Sequence, residues 1–204
     1  LKFRNIPCPH NRINTIAALG TDTLALGTDN GLILFSAHDN MFRQIDIRTS
    51  TQPSNYVEQI YQDRQKDVWV FPRNPGIVRL HLNSNEKEHL FTPQNEVIKH
   101  GRNSRKLIFE DKTGILWVLP TGGNLSYYDR KEKKLKPLLT DIDNPKSIFS
   151  PLVRFYTLDT QGNCWLATAR GIDRISFFPQ SYQFNQTDYE AETRAFLRDS
   201  HNRL

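Results

Sequence analysis

Hydrophobic and polar residues alternate along most of the chain in runs of four to six positions, separated by Asn, Asp, Gly and Pro. Alternation with a period of two is typical of half-buried β-strands, and the separating residues are typical of turns. No stretch longer than a dozen residues has a helical period. The pattern therefore predicts an all-β protein built from short strands.

Three segments of the chain repeat the same order of features. Each runs from an apolar strand through an Asp and a polar turn to an apolar residue followed by Trp, and then through a short loop ending in Gly to another strand. The segments are residues 57–81, 106–128 and 153–176, and their tryptophans, Trp69, Trp117 and Trp165, are spaced 48 residues apart. A fourth short strand follows in each repeat. Residues 13–35 fit the same frame, with Ala25 in the place of the Trp.

Four antiparallel strands recurring in about 45 residues are the sequence pattern of a β-propeller blade. The predicted fold class is all-β, a partial ring of about four blades that makes residues 1–204 one partial β-propeller. The blades are predicted at approximately 13–46, 57–92, 106–140 and 153–185, with an incomplete fifth blade at 193–204 because these last residues match the first strand of the preceding repeat.

The recurring residues have structural roles in this frame. The tryptophans are expected to fill the layer between adjacent blades, with a cofactor-stacking or sugar-stacking role as the alternative. Asp63, Asp111, Asp159 and Asp199 recur just before a turn, so their side chains are expected to cap local backbone N–H groups. Cys164 occupies a core position. With only two cysteines the chain is not a disulfide scaffold, although a bond between Cys8 and Cys164 remains open.

The repeats resemble the regulator-propeller repeat, whose usual form is D-x-x-G-x-L-W-I-G-T-x-x-G-L. The resemblance is carried by Asp111, Gly114, Leu116 and Trp117 in one repeat and by Asp159, Gly162, Trp165, Thr168 and Gly171 in the next. The segment 143–148, Asp-Asn-Pro-Lys-Ser-Ile, is similar to the family's N-D-P-x-S-L linker before a new blade. Ala25 and the altered loop at 71–76 depart from the pattern. These departures put the identity of the ligand in doubt, and the predicted fold is unaffected.

This family forms the extracytoplasmic sensor region of hybrid two-component sensor histidine kinases of the Bacteroidetes type, which feed a phosphorelay. The resemblance therefore implies a periplasmic ligand-sensing fragment that takes part in oligosaccharide perception and signal transduction. Two alternatives stay open: a fragment of a propeller carbohydrate-active lyase or hydrolase, and a protein-interaction scaffold. An open arc of blades exposes strand edges, so self-association as a homodimer is also expected.

Composition narrows the possible chemistry. The net charge is +5, and residues 129–136 alone contribute five basic and two acidic side chains. Because much of the excess charge lies in this one segment, the pI of 9.2 is weak evidence for nucleic-acid binding. Nucleic-acid binding is therefore not expected. The longest apolar run, residues 115–119, is far short of the roughly 20 residues that span a bilayer. Membrane contact is therefore expected only through other parts of a longer parent protein. No phosphate loop, nucleophile elbow or metal-binding spacing occurs, and no catalytic residue, cofactor or metal is predicted.

Candidate ligand-binding residues lie in the loops that follow the Trp strands, because function in propellers concentrates on loops. These loops are 73–75, 121–122 and 168–170. Arg73, Asn74 and Arg170 are the candidates, since a planar guanidinium can bind a carboxylate or sugar hydroxyls. Solvated loop side chains are the alternative, and the residues that bind a ligand stay unassigned at this level.

Overall fold

A computed structural model of the chain describes residues 3–9, 12–90, 106–120, 124–138, 140–141, 143–144, 147–150, 152–176 and 183–186. Sixteen β-strands and no helix lie in this part of the chain, which therefore holds no helix able to cross a bilayer. The chain divides into two compact units, Leu1–Leu90 and Phe91–Leu204.

The first unit contains eight strands and so does the second. Those of the first unit are β1 (Ile13–Ala18), β2 (Thr23–Thr28), β3 (Gly31–Ser36), β4 (Met41–Ile45), β5 (Val57–Gln62), β6 (Val68–Pro72), β7 (Ile77–Leu80) and β8 (Lys87–Leu90). Those of the second unit are β9 (Leu107–Glu110), β10 (Leu116–Leu119), β11 (Ser126–Asp129), β12 (Lys134–Pro137), β13 (Val153–Leu158), β14 (Cys164–Thr168), β15 (Gly171–Ile175) and β16 (Gln183–Gln186).

Each sequence repeat folds into one antiparallel sheet whose four strands lie side by side in chain order. The sheets are β1–β4, β5–β8, β9–β12 and β13–β16, called here the first to fourth sheets. Some connections are as short as two residues: Thr28 pairs with Gly31 across the β2–β3 turn, where Gly31 has a φ of 105° that favours glycine. The predicted all-β class of four-stranded antiparallel sheets is confirmed.

In the first unit, both sheets bury one shared layer of aliphatic side chains. Successive residues of a strand point to opposite faces, so alternate positions of neighbouring strands meet in the same layer. The layer includes Ala25, Leu32 and Leu34 of the first sheet and Val57, Val68, Val70, Val78 and Leu80 of the second. Burying each of the larger of these side chains contributes about 1.5–3 kcal/mol.

The second unit has a more aromatic layer between its two sheets. Phe109, Trp117 and Leu119 of the third sheet pack in one cluster with Cys164 and Leu166 of the fourth. The interpretation of Trp117 as an inter-sheet residue and of Cys164 as a core residue is thus confirmed. Burial raises the pKa of the Cys164 thiol far above its usual range, and both Cys164 and the half-buried Cys8 are free thiols.

The recurring Asp before each turn has two roles. Asp111 Oδ1 accepts the backbone N–H groups of Thr113 and Ile115, at 2.8 and 3.1 Å, which confirms the predicted capping of the turn. Its other oxygen, Oδ2, accepts the indole N–H of Trp117 at 2.8 Å. The same Asp–Trp hydrogen bond joins Asp63 to Trp69 at 2.9 Å and Asp159 to Trp165 at 3.0 Å.

The first sheet lacks both members of this pair. Ala17 pairs with Ala25 as Phe109 pairs with Trp117, so Ala25 stands in the Trp position and Leu19 in the Asp position. Leu19 packs against the apolar layer of the first unit. An Asp at position 19 would have no indole partner at position 25. The first sheet has neither the Asp nor the Trp.

Two predictions concern the ends of the chain. Residues 1–6 resemble an outer strand, but residues 3–9 form no strand, and Cys8 instead packs against the small apolar cluster of Leu26, Ile33 and Phe35. The fifth copy at 193–204 lies outside the described residues. The assignment of residues 1–204 to one partial propeller, with its blade limits, stays a prediction.

Candidate functional site

Three of the four sheets have a β-bulge at the same place, near the start of their first strand. Regular pairing shifts by one residue between Ile13 and Thr15, between Val57 and Gln59, and between Val153 and Phe155. The extra residues are Asn14, Glu58 and Arg154. A bulge re-aims the side chain of its extra residue, and bulges are common beside binding sites.

In the first unit, the bulge residues lie close to the aromatic side chain of Tyr56, directly before β5. The Tyr56 hydroxyl donates to Asn14 Oδ1 at 3.2 Å, and Asn14 Nδ2 donates to the Val57 carbonyl at 3.0 Å. Asn14 thus ties the first sheet to the second and fixes the position of the Tyr56 ring. The ring is half-buried and offers a stationary surface at the edge of the unit.

Arg73, the predicted candidate in the β6–β7 loop, lies on that ring. Its Cζ is 4.0 Å from the Tyr56 ring centroid, and its backbone N–H donates to the Tyr56 carbonyl at 3.2 Å. Its Nε is 3.9 Å from Glu58 Oε1. The Arg73 side chain is 62% exposed, so its remaining N–H donors face solvent above a fixed aromatic ring. We call Asn14, Tyr56, Glu58 and Arg73 the Tyr56 cluster.

The other predicted loop residues are described within their own units. Asn74 is half-buried in the same loop as Arg73. Arg170 belongs to the fourth sheet, in a two-residue turn closed by Thr168, whose hydroxyl donates to the Gly171 carbonyl at 3.0 Å. Residues 121–122 lie outside the described residues. The ligand-binding roles proposed for Arg73, Asn74 and Arg170 stay predictions.

Arg170 has an aromatic partner of its own in the second unit. Its Cζ is 5.8 Å from the ring centroid of Phe149, in the segment that precedes β13. The carboxylate of Asp173 accepts the Phe149 backbone N–H at 3.1 Å. Burial raises the pKa of Asp173 to about 6.

The Tyr56 cluster brings together four kinds of polar and aromatic group. An aromatic face, a guanidinium, a carboxylate and an amide offer a stacking surface with both donors and acceptors for a polar ligand. Over the residues that the structure describes, no three His, Cys, Asp or Glu side chains converge as metal ligands would. His81, for instance, has its Nδ1 2.6 Å from Asp67 Oδ1, within the second sheet.

Sequence reasoning located Arg73 and missed Tyr56, Glu58 and Asn14. A signal for the bulges was present in the spacing of apolar residues. In β1 and β5 the first apolar residue is followed three positions later by another, as in Val57 and Ile60, where regular alternation requires a spacing of two. The extra residue in such a strand marks a bulge.

Comparison with known proteins gives matches at the level of structure. No protein-family model and no curated protein matches the sequence. The extracellular domain of the B. thetaiotaomicron one-component system BT4673 superposes with a TM-score of 0.64 at 20% identity, over 91% of this chain and 24% of that domain. A second structure, of the extracellular domain of the hybrid two-component system BT4673, gives 0.58 at 22% identity, over 88% and 23%. The chain folds as β-propeller blades.

These blades span about a quarter of the length of the extracellular domains they match. The blade fold is shared with an enzyme as well. A virginiamycin B lyase from Staphylococcus aureus superposes with a TM-score of 0.59 at 13% identity, over 92% of this chain and 60% of the lyase. The blades therefore define the scaffold, and the function depends on particular side chains that the scaffold holds.

Proposed function

We propose that this chain is a ligand-sensing segment of β-propeller blades from the extracytoplasmic region of a hybrid two-component sensor histidine kinase, and that it takes part in perceiving an oligosaccharide. The support is threefold. The repeats resemble the regulator-propeller repeat, the fold matches extracellular domains of two-component systems, and one edge of the first unit carries the Tyr56 cluster.

The observation that carries the proposal is the stack of Arg73 on Tyr56. Sugar rings present an apolar C–H face and a rim of hydroxyl groups, so a protein surface that binds them needs an aromatic face beside planar donors and acceptors. Tyr56 is fixed by Asn14, Arg73 lies over the ring, and Glu58 Oε1 is 3.9 Å from Arg73 Nε. A fixed aromatic face binds at lower entropic cost than a mobile one.

A binding measurement on the whole chain tests the proposal. Isothermal titration with a panel of plant and host oligosaccharides should give saturable binding to at least one of them. The Arg73→Ala variant should weaken that binding about tenfold to a hundredfold, because a hydrogen bond to a charged group contributes about 1.5–3 kcal/mol. Arg43→Ala removes an exposed arginine of β4 outside the cluster and should leave the affinity unchanged.

The same mixtures separate a sensor from an enzyme. Oligosaccharides recovered after long incubation should be intact by chromatography. Cleavage would assign the chain to the lyase or hydrolase alternative. Binding that Arg73→Ala and Tyr56→Ala both leave unchanged would place the ligand elsewhere and overturn the role of the Tyr56 cluster.

A further inference from the structure

Two of the sheets, the second and the fourth, have an arginine on their third strand, directly opposite the Trp of the second strand. Trp69 pairs across the strands with Arg79, and Trp165 pairs with Arg174. Each guanidinium lies over the indole, with Cζ 5.9 Å from the Trp69 ring centroid and 5.4 Å from that of Trp165. The two sites therefore have the same framework and can be compared group by group.

In the second sheet, two carboxylates neutralise the buried arginine. Asp67 Oδ2 accepts from Nε and Nη2 of Arg79, at 2.8 and 2.6 Å. Glu88, on the neighbouring strand β8, accepts from Nη1 at 3.2 Å. The guanidinium is thus paired within its own sheet, as buried charges require.

In the fourth sheet, both carboxylate positions hold amides. Asn163 stands two residues before Trp165, as Asp67 stands before Trp69, and Gln183 pairs with Arg174 as Glu88 pairs with Arg79. The Asn163 side chain faces away, since its Nδ2 donates to Asp159 Oδ2 at 2.8 Å and to Gln161 Oε1 at 3.3 Å.

The Nε of Arg174 differs from that of Arg79 in its hydrogen bonding. The Arg174 Nε is buried, and within the described residues it has no hydrogen-bond partner. The carboxylate of Asp159, on the hairpin before Trp165, accepts from Asn163 and from the Trp165 indole. A buried donor without an acceptor is costly, so a carboxylate placed there gains both charge neutralisation and hydrogen bonds.

We propose that Arg174, held over Trp165, is a carboxylate-binding site on the fourth sheet. Arg174 binds a carboxylate from outside its sheet, whereas Arg79 binds the Asp67 carboxylate within the second sheet. The carboxylate belongs either to a small-molecule acid or to an acidic side chain of a second copy of this chain. This site shares no residue with the Tyr56 cluster, and its test does not depend on oligosaccharide binding.

The direct readout is the NMR signal of the arginine Nε–H groups in the whole chain, with the Arg174 signal assigned by its absence in Arg174→Lys. Sodium acetate is titrated against sodium chloride at constant ionic strength and low protein concentration. We expect the Arg174 Nε–H signal to shift with saturation in the millimolar range. The Arg79 signal, whose acceptor is already in place, is the internal control and should not move.

The Asn163→Asp variant supplies the missing carboxylate within the sheet. It should move the Arg174 signal toward the position of Arg79 and weaken the acetate response at least tenfold. Sedimentation velocity over a range of protein concentrations distinguishes the second source. An Arg174 signal that shifts only as the chain self-associates, together with loss of that association in Arg174→Leu, would assign the carboxylate to a second copy. An Arg174 signal that responds to neither acetate nor protein concentration would overturn the proposal.

Discussion

The hydrogen bond between Asp111 and Trp117 should couple the two side chains strongly. Asp111 is almost completely buried and accepts four hydrogen bonds, from the N–H and hydroxyl groups of Thr113, from the N–H of Ile115 and from the indole of Trp117, at 2.6 to 3.1 Å. Asp111→Ala leaves the buried indole N–H and the turn amides without their acceptor. Hydrogen bonds to a charged group contribute about 1.5–3 kcal/mol each and are not additive, so we expect a loss of about 3 kcal/mol in the free energy of unfolding.

A double-mutant cycle isolates the indole bond. Trp117→Phe removes the donor and keeps an aromatic ring, so Asp111→Ala should cost less in that background by about 1.5–3 kcal/mol. Urea denaturation of the four proteins, followed by circular dichroism, measures this difference. A coupling energy within about 0.5 kcal/mol of zero would show that the two side chains act independently, and the structural reason for their joint recurrence would be wrong.

Three further predictions use groups in other parts of the blades. Burial raises the pKa of Asp173 to about 6 from 3.8, so the native state binds the proton more tightly than the unfolded state, and stability is lost as pH rises from about 4 through 6. Asp173→Asn should therefore stabilise the protein by up to about 3 kcal/mol at pH 7.5 and by little at pH 4, and parallel pH profiles would contradict this. Gly31→Ala should cost more than Gly20→Ala in thermal unfolding, by about 1–3 kcal/mol: both have positive φ, but a Cβ on Gly31 meets a carbonyl oxygen at 2.6 Å and one on Gly20 meets nothing within 4 Å. Iodoacetamide should modify Cys8 in the native protein and spare Cys164 until urea unfolds it, which mass spectrometry of digests can check; equal labelling of both thiols would contradict the buried position of Cys164.

The sequence predicted the strands well because their signal is local. Alternation, turn residues and a fixed repeat length are properties of one segment at a time, and they predicted the four-stranded order of each repeat. The shared recurrence of Asp111 and Trp117 was interpreted as two separate roles, turn and core. Their hydrogen bond depends on the twist and register of the hairpin between them, which the residue pattern does not give.

Only part of the candidate site was predicted, again because the sequence signal is local. Arg73 stood out because three aligned loops could be compared, whereas Tyr56 belongs to a linker that varies among the repeats. The difference between Arg174 and Arg79 could be found only from the cross-strand pairing of Gln183, since the register shows which residue stands where Glu88 neutralises Arg79. Sequence supplied the residue types, and pairing determined their partners.

In a bulged strand, regular pairing and the identity of the extra side chain do not depend on each other. On the far side of each bulge the strand returns to regular pairing, as Ile60 does with Val70, so folding does not depend on the identity of the extra residue. At the three bulges that residue is a neutral amide, a carboxylate and a guanidinium, in Asn14, Glu58 and Arg154. A lineage of such proteins can therefore change the charge of each bulge by single substitutions while the packed layer of that unit stays as it is, which opens a route to new specificities.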